Sequence, residues 1–316
     1  MTATRRAGNV SLLLLLLLLL LLLCLLATAT GCATEQRHRP SVVVTTNILG
    51  DLTRNVVGDE AEVTVLMQPG ADPHSFGVSA PQAAAMEQAD LVVHNGLGLE
   101  ENVLRHVEAA RASGVPTLAV GESVDPMTYS GGESAGRPDP HFWTDPVRVR
   151  KAVRLIGDRV VRHVEGVDAA AVRKNAERYG AELAGLHTSM RDAFASVPAD
   201  RRRLVTNHHV FGYLADRYGF RVVGAVIPSG TTLASPSASD LDSLATAVRK
   251  AGVPAIFADS SQPDRLAQVL KRESGIDVDV VPLFSESLTP KGQGAATYLQ
   301  MMRANTQAIT EGLTSR

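Results

Sequence analysis

Cysteine is almost missing from this chain: two residues in 316, Cys24 and Cys32. Both lie in or at the end of an apolar leader, so the rest of the chain can form no internal disulfide and no thiolate metal site. Any transition-metal ligand in the body must be His, Asp or Glu. Aromatic residues make up only 4%, with a single Trp, and no basic stripe runs along the chain. The stacking platforms and phosphate-tracking surfaces that nucleic acid requires are lacking, so no nucleic acid is expected as a partner. The phosphate-cradling pattern Gly-x4-Gly-Lys-[Ser/Thr] is absent, which excludes a nucleotide-driven motor. No His-Glu-x-x-His pair occurs either, so the helical zinc site of many metallopeptidases has no counterpart.

The one long hydrophobic run sits at the start. Arg5 and Arg6 precede an apolar stretch from Leu12 to Ala27, nearly all leucine, followed by Ala29-Thr30-Gly31-Cys32. A charged start, a short apolar segment and small residues before a cut describe an export signal. Small residues directly ahead of Cys32 resemble a bacterial lipoprotein signal, whose cleavage leaves Cys32 as a lipidated N-terminus. Ala29 stands where such signals usually carry leucine. Ordinary secretion and an uncleaved anchor are the alternatives, since the run is close to the shortest that spans a bilayer. Residues 1–32 are read as the signal and the polar residues 33–40 as a tether, which places the protein outside the cytoplasm on a lipid anchor. Removing Arg5 and Arg6 leaves 29 basic against 33 acidic residues, a mild net charge of −4. A body of about 284 residues is long enough for two lobes, each with its own core.

The body alternates strand and helix. Ser41 to Thr46 is a β-branched run and reads as a first buried strand. Helix is expected from Asn47 to Val57, strand from Ala61 to Met67, helix from Ser79 to about Gln88, and strand from Asp90 to His94. A helix from Glu100 to Ala112 and a strand from Thr117 to Val120 complete the first set. Asp125 to Asp139 breaks the pattern with five Gly or Ser residues among its prolines and polar side chains; it is a candidate lid, or an idle surface loop. Two helices follow, Pro146 to Val164 and Ala169 to Val197. The second carries Val172, Ala176, Tyr179, Leu183, Leu186, Met190 and Phe194 at spacings of four and three, one helix face with almost no slip. At 1.5 Å per residue it spans ~40 Å, so it is read as a stiff strut joining two lobes. The alternation resumes with strands at Arg203 to Thr206, Val222 to Ile227, Ala255 to Ala258 and Val278 to Leu283. Helices lie between them, and a last helix runs from Tyr298 to Leu313. The expected class is α/β, with two parallel-sheet lobes at 41–167 and 198–316 bridged by a rigid helix at 168–197.

Two short stretches share one pattern: Asp72-Pro73-His74 and Asp139-Pro140-His141, the second running on through Phe142-Trp143-Thr144-Asp145-Pro146. Proline fixes its own φ and restrains the residue before it, so each histidine leaves a stiff loop in a defined direction. An imidazole held in that way loses little entropy on binding a metal. A third histidine segment, His208-His209, directly follows a strand, and so does Glu286. In open α/β sheets ligands sit beyond the carboxyl ends of the strands. Three imidazoles and one carboxylate meeting in the interlobe cleft form a four-coordinate set suited to Zn2+. Alternation along an extended chain aims one of His208 and His209 into the cleft without saying which. Asp259 also follows a strand and rivals Glu286. Asp72 and Asp139 either accept hydrogen bonds from the histidines or cap turns; Asp145 caps its helix. His94, His106, His163 and His187 lack this context and are read as structural or exposed. Should water replace the carboxylate, three protein ligands and an open position would describe a zinc hydrolase.

From about Ser41 to Leu313 the chain resembles the zinc- and manganese-binding proteins of bacterial ABC importers. The matching stretches are Gly70 to Phe76, Asp139 to Pro146, Thr206 to Tyr213 and Leu283 to Leu288. The resemblance implies two α/β lobes joined by a rigid helix with the metal between them. It selects His208, three residues before Phe211-Gly212-Tyr213, over His209. It places the fourth ligand at Glu286, where the family usually carries Asp. The implied ligand set is His74, His141, His208 and Glu286. The implied role is capture of Zn2+ and its delivery to a membrane ABC permease by a monomeric, non-enzymatic protein; a manganese importer component is the alternative. Zinc-binding members often have a His-rich loop before the second motif. Here residues 125–139 contain no histidine, so docking of a metallochaperone at that loop becomes the expectation instead. A metal buffer or adhesin without a permease would use the same fold.

Overall fold

The computed structural model describes residues 15–20 and 39–315. The signal cut at Cys32 and the tether at 33–38 lie outside the described residues. Residues 15–20 are helical, with leucines 56–66% exposed. Among the described residues no helix is long and apolar enough to cross a membrane.

From Pro40 onward two four-stranded parallel sheets carry the chain. The first is built from β1 (Ser41–Val44), β2 (Glu62–Val65), β3 (Leu91–His94) and β4 (Thr117–Ala119), in the order β2-β1-β3-β4. The second is built from β5 (Arg203–Thr206), β6 (Arg221–Ala225), β7 (Ala255–Asp259) and β8 (Asp279–Leu283), in the order β6-β5-β7-β8. The two orders are the same: the first strand lies inside the sheet and the chain reverses direction of travel across it. The register is set by apolar strands covered on both faces, such as Val42 beside both Val63 and Leu91. The repeat is one of topology, without a sequence repeat beneath it.

Helices α1 (Asn47–Val57), α2 (Ala80–Glu87) and α3 (Glu101–Ala112) cover the first sheet, and α6 (Gly212–Tyr218), α7 (Ala238–Ala251) and α8 (Arg265–Ser274) belong to the second. Between the sheets run α4 (Pro146–His163) and α5 (Ala169–Ala195), and α9 (Tyr298–Thr314) closes the chain. Caps mark the starts: Thr46 Oγ1 accepts from Leu49 N, Asp145 from Val147 N and Asp168 from Ala170 N. The seven apolar residues predicted for the inner face of α5 are its seven buried residues. This helix does not stand apart from the lobes as a bare strut. It packs along α4 and against α1 and α9, and its buried face joins residues of both sheets in one continuous core. A 27-residue helix sharing that core ties the two lobes together.

Candidate metal centre

Each half of the molecule delivers side chains from the carboxyl ends of its strands. After β2 the chain turns at Asp72, whose Oδ1 accepts the backbone N–H of His74 at 2.9 Å, while Phe76 N donates to Asp72 O at 3.1 Å. The second Asp-Pro-His repeats this turn: Asp139 Oδ1 accepts the backbone N–H of His141, also at 2.9 Å. The aspartate two residues ahead of each histidine thus caps the turn and aims the imidazole. In the second lobe β5 ends at Thr206, whose hydroxyl donates to His208 O at 2.7 Å and folds the chain back at once. Beyond β8, Asn305 of α9 exchanges two hydrogen bonds with the backbone of Phe284, each 2.9 Å. Trp143 Nε1 donates to Ser285 O at 2.8 Å, so the lone tryptophan braces the segment that carries Glu286.

These turns bring four side chains together. The three imidazole rings of His74, His141 and His208 form a near-equilateral triangle, with centroids 5.3–5.5 Å apart. Glu286 approaches all three Nε2 atoms, at 3.8 Å from His74, 3.6 Å from His141 and 3.1 Å from His208. One ligand atom from each residue lies within 4.8 Å of the others. All four residues are buried, at 0–2% exposure. Yet His208 Nδ1 and Nε2 and both carboxylate oxygens of Glu286 lack a properly aligned hydrogen-bond partner. Buried polar atoms without partners are costly, and here the unmet atoms of Glu286 and His208 Nε2 face one another across a common centre.

The electrostatics favour lone pairs at that centre. Burial, then the neighbouring imidazoles, holds His74 and His141 well below the usual histidine range, so both are neutral at pH 7. His141 Nδ1 lies 2.7 Å from Asp139 Oδ1; with Asp139 ionised, this contact places the proton on Nδ1 and turns the Nε2 lone pair inward. Burial pushes the Asp139 carboxyl up to about 7, against the pull of the His141 backbone N–H. Burial also pushes Glu286 up to about 7, against His208. Burial lowers His208, but the adjacent Glu286 carboxylate outweighs it and the net direction is upward.

Among the rival residues, His209 is displaced from the cluster. Its backbone N–H donates to Ser229 O at 3.1 Å, and its ring stacks obliquely near Tyr129. Asp259 is occupied elsewhere, by the hydroxyls of Ser261 and Ser285 and by Ser261 N at 2.7 Å. Asp145 caps α4 as expected and also takes a two-pronged ion pair from Arg217. Several braces were missed in the sequence. Asn47 holds Ser287 Oγ at 2.7 Å and Leu288 N at 2.9 Å, some 240 residues away. Glu100 accepts from Thr45 and from the backbone of Asn95 and Gly96, and Asn95 in turn holds Pro140 O at 3.0 Å. These are single polar residues without a local pattern, so no spacing rule could have flagged them. Tyr129, which lies 3.2 Å from His141 Nδ1, left one signal: an aromatic in a Gly- and Ser-rich loop.

Residues 42–312 match the family model described as the periplasmic zinc-uptake complex component A, ZnuA. The zinc-binding protein TroA of Treponema pallidum is 30% identical over 282 residues, covering 87% of this chain and 89% of the relative. The manganese-binding lipoprotein MntA of Halalkalibacterium halodurans is 28% identical over 292 residues, covering 90% and 94%. The solved structure of the periplasmic zinc-binding protein TroA from Treponema pallidum superposes with a TM-score of 0.79 at 29% identity, covering 87% of this chain and 99% of that one.

Proposed function

Since the chain belongs to the family of the periplasmic zinc-uptake complex component A, we propose that it captures Zn2+ outside the cytoplasm and hands it to an ABC permease in the membrane. The observation that carries this reading is the buried cluster itself: three imidazoles and a carboxylate, with the facing atoms of Glu286 and His208 unpartnered. A divalent cation is the one ligand that satisfies all of them at once. His74, His141 and His208 would bind through Nε2 and Glu286 through its carboxylate, a closed four-coordinate set of the kind zinc favours. Asp139 would raise the basicity of His141 through the Nδ1 bond.

The reading is of a binding protein rather than an enzyme. Catalytic zinc keeps a position open for water, whereas here a carboxylate stands in the fourth place and the set is sealed from solvent. In keeping with relatives named as lipoproteins, Cys32 would carry lipid, residues 33–40 would tether a monomeric body of two lobes, and the protein would work at the outer face of the cytoplasmic membrane.

One observation favours manganese as a second reading. Both oxygens of Glu286 are free of partners, so the carboxylate can bind through both and raise the coordination number, and oxygen donors suit Mn2+. Calorimetric titration of the metal-free protein starting after Cys32 separates the readings. One tight zinc site with weak manganese binding is the expected result. Tight manganese binding that zinc fails to displace would assign the protein to manganese, and no stoichiometric metal would end the proposal.

A further inference from the structure

The segment of the second lobe between β6 and α7 touches the supports of all three histidines. Ser229 O accepts the backbone N–H of His209, next to His208, at 3.1 Å. Gly230 O lies 3.2 Å from Tyr129 Oη, and that hydroxyl is also 3.2 Å from His141 Nδ1. Thr232 Oγ1 donates to Asp72 Oδ2 at 2.5 Å, while the other oxygen of Asp72 holds the backbone N–H of His74. Residues 229–232 thus contact the second lobe's own ligand turn and both Asp-Pro-His turns of the first lobe.

The loop at 125–139 grips the same segment. It doubles back on itself through the antiparallel bridge between Thr128 and Pro138. Glu133 N donates to Pro228 O at 3.1 Å, and Gly230 N donates to Ser134 Oγ at 2.9 Å. Ser134 is 1% exposed and Tyr129 9%, so these two side chains pack into a seam while most of the loop around them faces solvent. The seam is also tight enough to dictate glycine. A Cβ on Gly230 would lie 2.3 Å from the Tyr129 ring, and one on Gly132, where φ is +71°, would lie 2.9 Å from Pro228 O.

We propose that residues 228–232 are a latch that sets the rate of metal release, with Tyr129 and Thr232 as its positioning residues. This rests on the metal-binding reading above. With the site sealed, an ion leaves only after a wall moves. The α5 rod restrains a wide hinge, so the local seam is the element free to part. Parting it removes the Tyr129 hydroxyl from beside His141 and the Thr232 hydroxyl from Asp72, loosening both first-lobe ligands together. Tyr129 and Thr232 contact ligand supports, so their loss changes how long metal stays more than how fast it arrives.

The test combines metal release with amide exchange. Zinc-loaded wild type, Tyr129→Phe, Thr232→Val, the double variant and Thr232→Ser are mixed with excess chelator, and release is followed by stopped flow. Each single variant loses one hydrogen bond, so release should quicken about 5-fold for Tyr129→Phe and about 10-fold or more for Thr232→Val, whose partner is a carboxylate. Association rates should stay within about twofold, and Thr232→Ser, which keeps the hydroxyl, should restore slow release. Hydrogen exchange at Gly230 and Glu133 in the metal-free proteins reads the seam without metal: Tyr129→Phe and Thr232→Val should lose protection there while the melting of the fold holds. Wild type that binds no zinc would end the transport reading but leave the exchange result to judge the latch. Release and protection unchanged in the double variant would overturn it.

Discussion

The two lobes present their halves of the cluster differently. In the first lobe, His74 and His141 stand on matching turns, each with an aspartate oxygen 2.9 Å from its backbone N–H, and His141 has a further bond from Nδ1 to Asp139. In the second lobe, the backbone of His208 is held by Thr206 and the backbone just ahead of Glu286, at Phe284 and Ser285, by Asn305 and Trp143, while the functional atoms of His208 and Glu286 have no aligned partner. One half is held by hydrogen bonds from its own turns, and the other buries polar atoms without aligned partners. On the proposed metal-binding reading, the first half fixes the direction of its imidazoles and the second supplies the unneutralised charge that would attract the ion.

That contrast can be broken most sharply by substituting one ligand from each lobe. His141→Ala and Glu286→Gln should both abolish stoichiometric zinc binding by calorimetry. Their effects on the metal-free protein should be opposite. Glu286→Gln removes a buried charge with unmet oxygens and should stabilise the empty fold by about 1–3 kcal/mol in thermal or denaturant unfolding, whereas His141→Ala strands the Asp139 carboxyl and should destabilise it. Equal destabilisation by both would show that the two halves are equivalent.

A buried histidine outside the cluster sharpens the comparison. His94, on β3, has no partner for Nε2, and burial with the charge of Arg111 lowers it to about 4. The unfolded chain binds a proton near pH 6.5 that the folded chain takes up only near 4. Stability is therefore complete above 6.5 and is lost as pH falls through that window, by about 3 kcal/mol at most. His94→Gln should flatten the loss in unfolding curves taken from pH 7 to pH 4 in the zinc-bound protein. An unchanged pH slope would place the acid sensitivity elsewhere.

Within the first lobe, the two aspartates should differ in weight. Asp139→Asn weakens the bond to the imidazole itself and should lower zinc affinity about 10- to 100-fold. Asp72→Asn retains an acceptor for the His74 backbone and should cost less; the reverse ranking in competition titrations would contradict the distinction drawn between the two turns. The smallest effect is expected between the lobes, at the half-exposed Arg217 that pairs with buried Asp145. Arg217→Gln should cost about 1 kcal/mol of stability and leave zinc affinity unchanged.

Most of the fold was legible in the sequence because its elements are local. The Ser41–Val44 strand is a β-branched run, and the inner face of α5 is written in its three-and-four spacing, so both follow from periods that need no partner to be seen. Boundaries moved where turns intervened: the second strand of the first lobe, expected from Ala61 to Met67, spans only Glu62–Val65, and α6 begins only at Gly212 because the chain first folds back after His208 with Val210 N bonded to His208 O. The Asp-Pro-His turns were equally legible, being stiffened by proline within three residues.

The choice among competing side chains belonged to the tertiary structure. Residues 208 and 209 differ only in which way a tight turn faces them, and that turn is held by Thr206 and by Ser229, residues whose approach no local pattern encodes. Glu286 and Asp259 both follow strands; two serine hydroxyls occupy the aspartate and leave the glutamate unmet. The 125–139 loop reads as irregular in sequence and becomes a seam only when Gly230 meets Tyr129 across 101 residues of chain. Sequence determined which elements form and which residues are chemically able to bind metal, since propensity and ligand chemistry are local properties. Tertiary structure decided which of those residues face one point and which are already satisfied, since hydrogen-bond satisfaction in a buried site depends on neighbours far away in the chain.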